Sequence, residues 1–246
     1  TANEVAEDKE PAGELLPALA GVLAFTAKPS ADRPYLAGVC VDGVDGRLRL
    51  RATNGHRLID LPVAAIEYTG EQMIVGRDAV AVLGAVFAGG DLVVATMDDG
   101  RLTFADELTT VAARQLGSMF PATARMTDRD GATIDGGCAC KAPALLDALR
   151  HCLAVGGPLP MVRLSTDVAG LTIATEHRGE STAACTAAVE VESVQVGEPI
   201  GVNGRYLLDA VNAAGGDDVS LAWELGGRVF VCGSSSATIV VMTMRL

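Results

Sequence analysis

Leu83-Gly-Ala-Val-Phe-Ala-Gly-Gly-Asp91 is echoed by Leu208-Asp-Ala-Val-Asn-Ala-Ala-Gly-Gly216 at an offset of about 125 residues, and a period of that size marks a repeated structural unit. Each copy runs on into an alternating strand, a turn and a second strand. In the first copy these are residues 92–97, Asp99-Gly100 and 101–104; in the second they are 219–223, Gly226-Gly227 and 228–232. Upstream, the alternating run from Leu48 ends in Ala52-Thr53, and the run from Leu171 ends in Ala174-Thr175, at an offset of 122. Two homologous halves of about 120 residues each are the simplest explanation.

Helical spacing brackets these strands. Residues 11–27 carry Leu15, Leu16, Leu19, Val22 and Leu23 on one stripe, with Pro17 expected near the first turn. Residues 142–155 repeat the stripe with Leu145, Leu146, Leu149, Cys152 and Leu153. Second helices are expected over 77–88 and 204–214, each closed by a glycine pair, Gly89-Gly90 or Gly215-Gly216, as a C-cap. Period-2 alternation marks strands over 38–41, 48–52, 162–165 and 171–175. Each half reads helix, strands, helix, strands, and the short connections between strands make the sheets antiparallel. The expectation is an α+β chain of two tandem homologous domains, each with two helices packed on antiparallel sheets. Its parts are a flexible acidic leader over 1–10, a first domain over 11–126 and a second over 127–246, with the Gly-, Asp- and Thr-rich stretch 114–137 across the junction.

The 246 residues are 49% hydrophobic and 20% charged, enough apolar matter for a core and too much for a disordered chain. No apolar run approaches the roughly 18 residues of a membrane helix, and no signal-peptide pattern opens the chain. The 19 basic residues against 31 acidic ones leave a net charge of −12, which disfavours a salt-driven nucleic-acid binder unless the few cations share one face. Cys40, Cys138, Cys140, Cys152, Cys185 and Cys232 contain no CxxC pair, and Cys138-Ala-Cys140 is too tight for a zinc knuckle. All six are expected to be reduced, as in an intracellular protein, with Cys40, Cys185 and Cys232 as small core residues.

Chemistry-bearing motifs are few. Phosphate loops and the GxSxG elbow are absent, and Ser234-Ser-Ser236 falls in a hairpin turn. His56 and His177 follow strand ends and His151 sits on a helix, without thiols or carboxylates at ligand spacing, so no metal and no cofactor is expected. Asp98-Asp99 and Asp217-Asp218 read as solvated turn acids. Catalysis by Cys138 or Cys140 would need a base or cation that the sequence does not offer, and the chain is not expected to be an enzyme.

Two segments stand out. In Arg51-Ala-Thr-Asn-Gly-His-Arg-Leu58 a strand runs into a turn that presents His56, Arg57 and Leu58. The end, Ile239-Val-Val-Met-Thr-Met-Arg-Leu246, is an apolar strand with two soft methionines, which suit either core filling or an adaptable peptide-binding surface.

These segments resemble the bacterial DNA polymerase III beta subunit, the DNA sliding clamp. Residues 52–58 are similar to that family's ATDGHRL segment and 240–246 to its VVMPMRL ending. Phe120-Pro121 with Arg125-Met126 is similar to its FPDYRRV stretch, and 202–212 to its FNxxYLLDVLNA helix start. Asn54 stands where the family has Asp, Thr243 where it has Pro, and the match covers the second and third of the family's usual three domains.

The resemblance implies a processivity factor that encircles duplex DNA without reading its sequence, served by a clamp loader, in the cytoplasm with the nucleoid. It also implies a cleft between the two domains that takes a short hydrophobic peptide of a DNA polymerase or another replication or repair protein. Carried over, that cleft comprises Leu36, Thr53, Gly55, His56, Arg57 and Leu58, then Pro121, Arg125 and Met126, and finally Val240, Met242, Thr243, Met244 and Arg245, with Asn203 and Tyr206 at its edge. Six domains around a duplex make a two-domain chain a head-to-tail homotrimer. The candidates to face DNA are Lys28, Arg33, Arg77, Lys141, Arg150 and Arg205, a thin positive lining, since residues 11–27 hold no Lys or Arg. The rival reading is a clamp paralogue or truncated clamp that acts as a peptide-binding adaptor without encircling DNA.

Overall fold

Alternation becomes a hairpin only where the turn allows it, and Asp45-Gly46 does so with left-handed φ of 53° and 75°, the geometry that lets a two-residue turn follow the strand twist. The structure, a computed structural model, describes residues 12–30, 32–68, 70–87, 94–98, 101–106, 108–117, 119–155, 160–178 and 182–246. The acidic leader, the Gly89-Gly90 cap and the Asp99-Gly100 turn lie outside them. The chain divides into two units, Thr1–Ala122 and Thr123–Leu246.

In the first unit, helix α1 (Ala12–Leu23) and a 3-10 turn (Pro34–Ala37) precede strands β1 (Gly38–Val44), β2 (Arg47–Thr53), β3 (Arg57–Glu67) and β4 (Met73–Gly76). Helix α2 (Arg77–Val86) and strands β5 (Val94–Asp98), β6 (Arg101–Ala105) and β7 (Thr110–Arg114) follow. The strands form two antiparallel ladders, β4-β1-β2-β3 and β5-β6-β7, joined at the Val75–Gln115 bridge. Helices α1 and α2 pack on each other, and α1 also packs on β1, β2 and β3. Leu15, Leu19 and Val22 of the expected stripe are buried, with Val80 and Leu83 of α2 and Leu50, Ile59 and Phe104 of the strands. Pro17 falls in the second turn of α1 instead of the first, so the helix gives up one internal N–H bond there. On the other side of the sheet, Cys40, Ile74 and Phe120 form a small cluster flanked by Tyr35 and Leu116.

The second unit begins with a single helical turn, α3 (Ala124–Thr127), and continues with β8 (Gly136–Lys141), α4 (Ala142–Val155), β9 (Met161–Asp167), β10 (Gly170–Arg178), β11 (Thr182–Val189), β12 (Val191–Gln195) and β13 (Ile200–Asn203). It ends with α5 (Gly204–Ala214), β14 (Asp218–Trp223), β15 (Arg228–Cys232) and β16 (Thr238–Met244). The strands run in the order β11-β10-β9-β13-β16-β15-β14-β8-β12. Every described pairing within either unit is antiparallel. Helices α4 and α5 pack on each other over a core of Leu145, Leu149, Leu207, Val211, Trp223 and Phe230. Gly215, at φ 67°, is the C-cap of α5 that the glycine pair anticipates.

The second unit thus repeats the helix-and-strand order of the first, which confirms the α+β reading. Three local expectations change. His177 lies inside β10, paired with Ala183, because the strand continues past the Ala-Thr pair. Asp218 is solvated as expected but lies outside the turn: it opens β14, where its exposed carboxylate pairs with Lys141 Nζ. Of the thiols expected in the core, Cys40 is buried but Cys185 and Cys232 are half-buried: Cys185 faces Cys152 of α4 from a strand at the end of its described sheet, and Cys232 is the last residue of β15. Burial pushes the Cys40 and Cys152 thiols up to about 12, so neither is a nucleophile at neutral pH.

Candidate functional site

The turn between β2 and β3 is knitted by its own side chains. Asn54 Oδ1 accepts from the backbone N–H groups of His56 (2.9 Å) and Arg57 (3.1 Å). Thr53 Oγ1 accepts from Gly55 N–H (3.1 Å) and donates to the Arg57 carbonyl (2.7 Å). Gly55 supplies the positive φ of 88°. This is an Asx turn, and Asn serves its acceptor geometry as well as Asp would. It leaves His56 exposed at the tip. Arg57 and Leu58, expected to be presented with it, are instead buried as β3 begins. The Arg57 guanidinium donates to the Ala24 carbonyl just past α1 and stacks over the Phe25 ring at 5.2 Å. The carbonyl and the aromatic face offset part of the cost of taking the guanidinium out of water.

Leu36 is buried in the 3-10 turn, and its carbonyl accepts from Ala27 N–H at 2.7 Å. Pro121 is exposed, while Phe120 before it is anchored by Gln72 Oε1, which accepts its N–H at 3.3 Å, and by Arg51 stacked at 5.4 Å.

In the second unit the expected residues gather along β16. Val240, Met242 and Met244 share one face of that strand by its period of two, and exposure rises along them from the buried Val240 to Met244 at 39%. Thr243 points to the opposite face, and its hydroxyl donates to the Gly227 carbonyl at 3.0 Å. Strand β13 lies beside β16 with Val202 opposite Thr243, which brings Asn203 and Tyr206 to the same neighbourhood. Asn203 caps α5, its Oδ1 accepting from Arg205 N–H (3.0 Å) and Tyr206 N–H (3.3 Å). Helix α3, with exposed Arg125 and half-buried Met126, packs against β16; Arg245 is exposed just beyond it.

Sequence reasoning missed the pair that holds α3. Arg228, at the start of β15, donates from Nε to Glu224 Oε2 (2.5 Å) and from Nη2 to Oε1 (2.9 Å). Its Nη1 donates to the carbonyls of Arg125 (2.5 Å) and Met126 (3.2 Å). Arg228 holds the Glu224 carboxyl below its ordinary value. Glu224 and Arg228 stand only four residues apart, but nothing local signals their hold on α3, because the carbonyls lie 102 and 103 residues away in sequence.

Half of the six cations expected to face DNA are committed to partners. Lys141 pairs with Glu192 (2.9 Å) and with Asp218, Arg150 pairs with Asp147 (2.8 Å), and Arg77 donates to the Thr26 hydroxyl (2.9 Å). Lys28, Arg33 and Arg205 are exposed. Among the described residues no group of three or more His, Cys, Asp or Glu could hold a metal ion, and no helix is long and apolar enough to cross a membrane.

No protein-family model and no curated protein matches the chain. Solved structures do match. The beta sliding clamp of C. crescentus aligns with 100% of this chain and 67% of its own at a TM-score of 0.87 and 20% identity. A DNA polymerase III subunit beta from Pseudomonas aeruginosa, bound to griselimycin, aligns with 98% of this chain and 68% of its own (TM-score 0.83, 22% identity). The Bacillus subtilis DNA polymerase sliding clamp aligns with 100% and 66% (0.83, 17%). The chain therefore has the fold of the DNA polymerase III beta sliding clamp. It spans about two thirds, 65–68%, of the length of such chains.

Proposed function

We propose that this chain is a non-enzymatic sliding clamp: a ring around duplex DNA that tethers a polymerase and other replication or repair proteins through a hydrophobic peptide held in a cleft. The reading rests on the repeated helix-and-sheet unit, matched along the whole chain by sliding clamps. The cleft would draw on both units, with Leu36, Thr53, Gly55, His56, Arg57, Leu58 and Pro121 from the first. The second would add Arg125, Met126, Asn203, Tyr206, Val240, Met242, Thr243, Met244 and Arg245. Apolar matter with a few polar anchors is what grips an extended peptide, and the methionines of β16 adapt to more than one partner. Griselimycin, bound by the Pseudomonas aeruginosa relative in fold, is a ligand with which to test whether this surface binds at all. A clamp loader and a location with the nucleoid in the cytoplasm complete the reading.

Three copies of a two-domain chain would close the ring. Strand β11 is at the end of its described sheet, and Ala183, Ala184, Thr186 and Ala188 on it are exposed without a single charge. A long edge lacking Lys, Pro or a bulge is open to pairing with another strand, and head-to-tail pairing of copies supplies one.

The rival, a peptide-binding adaptor that does not encircle DNA, is favoured by one observation: α1, α2, α4 and α5 together carry three arginines against four carboxylates. Retention on nicked circular DNA against the same DNA linearised decides between them. A clamp is held on the circle and lost from the ends, whereas equal retention on both forms supports the adaptor.

A further inference from the structure

Helix α3 is one turn long, and its backbone is short of partners. Asp128 N–H bonds to the Ala124 carbonyl and Thr127 N–H to the Thr123 carbonyl, but the next carbonyls along, of Arg125 and Met126, have no succeeding helical turn to accept from. Arg228 supplies both of those bonds. Its other edge is gripped two-fold by Glu224 and its face lies over Phe230 at 5.0 Å, so the guanidinium is fixed in plane and direction. At 15% exposure for Arg228 and 20% for Glu224 the pair is largely shielded from water.

The same hairpin is stitched to the segment before β8 at two more points. Leu225 N–H donates to Asp135 Oδ2 at 2.6 Å, and Asp135 N–H donates to the Trp223 carbonyl at 2.8 Å. Arg228 also stands opposite Met242 in the β15–β16 register, and Thr243 is tied to Gly227 through both its N–H and its hydroxyl. One residue therefore joins the turn bearing Arg125 and Met126, through its side chain, to the strand bearing Met242 and Met244, through its place in the ladder. Its counterpart in the first repeat, Arg101 at the start of β6, is exposed, so the bracket is a property of the second unit and not of the repeat.

We infer that Arg228 is a positioning residue for peptide binding: it sets α3 against β16 and so fixes the spacing between Met126 and the methionines of the last strand. The inference rests on the reading of the β16 surface as the peptide site, and two readouts on the full chain separate the two. Arg228→Ala is expected to speed hydrogen exchange at the Thr127 and Asp128 amides while β9 and β10 keep their protection. It is also expected to weaken griselimycin binding about tenfold by loosening a supporting contact. Arg228→Lys keeps the charge without the planar fork and falls between the two. Met242→Ala tests the surface directly.

If Met242→Ala weakens binding and Arg228→Ala does not, Arg228 has no positioning role. Unchanged exchange at Thr127 and Asp128 overturns the role whatever the binding result. If the wild-type chain fails to bind griselimycin, or binds it equally after Met242→Ala, the peptide-site reading falls and takes the positioning role with it. A melting temperature of Arg228→Lys close to wild type shows that the effect is not general unfolding.

Discussion

Arg57 illustrates how a single residue can be read correctly in place and wrongly in direction. It stands one step past an Asx turn, yet the Ala24 carbonyl and the Phe25 ring draw it inward. Truncating it leaves that carbonyl without its charged donor, so Arg57→Ala is expected to cost about 2 kcal/mol of stability in urea titration. A change under about 0.5 kcal/mol, the size of an ordinary surface substitution, would mean the contact is incidental. Met242 and Met244 present the complementary case, side chains left half-exposed where a core strand would bury them. Met242→Ala with Met244→Ala is expected to weaken griselimycin binding by on the order of 1–3 kcal/mol, read by fluorescence anisotropy; unchanged affinity removes β16 from the peptide site. What the sequence revealed at this scale was local: the turn chemistry of Thr53, Asn54 and Gly55, and the apolar strand at the end. The role of Arg228 stayed hidden because the carbonyls it bonds are distant in the chain, and Gly226-Gly227-Arg228 reads as any hairpin does.

At the scale of elements, periodicity found α4 and α5 at their observed limits, because both stripes are long and bounded by clear stops. It placed strands well but ended them early, as with β10, since alternation fades before pairing does. Helix α3 escaped it altogether, being a single turn with no buried residue and so no periodic signal. Its stability depends on the Glu224–Arg228 pair, and that dependence has a sign. Glu224 titrates below its ordinary 4.5 in the folded chain, so the pair contributes stability at pH values above 4.5 and loses it as pH falls through the lower folded value. The stability gap between wild type and Glu224→Gln is therefore expected to be widest near neutrality and to close in acid. A gap that does not vary with pH would show that the carboxylate acts only by packing.

At the scale of the whole molecule, the repeat was legible because both copies keep the same order of helices and strands, and the fold followed from it. The charge distribution was legible as a deficit: few cations, and the structure spends Lys141 and Arg150 on nearby carboxylates. A ring whose wall carries so little net charge should hold DNA by topology. Retention on nicked circles is expected to change little between about 50 and 200 mM salt, whereas a chain held by several phosphate contacts would lose orders of magnitude over that range. The claim beneath all of this is that copies of the chain close into a ring. Solution mass by light scattering across a dilution series tests it most directly. A closed homotrimer gives a species of about 76 kDa, three times the 25.2 kDa chain, that persists on dilution. A monomer of 25.2 kDa at every concentration would contradict it.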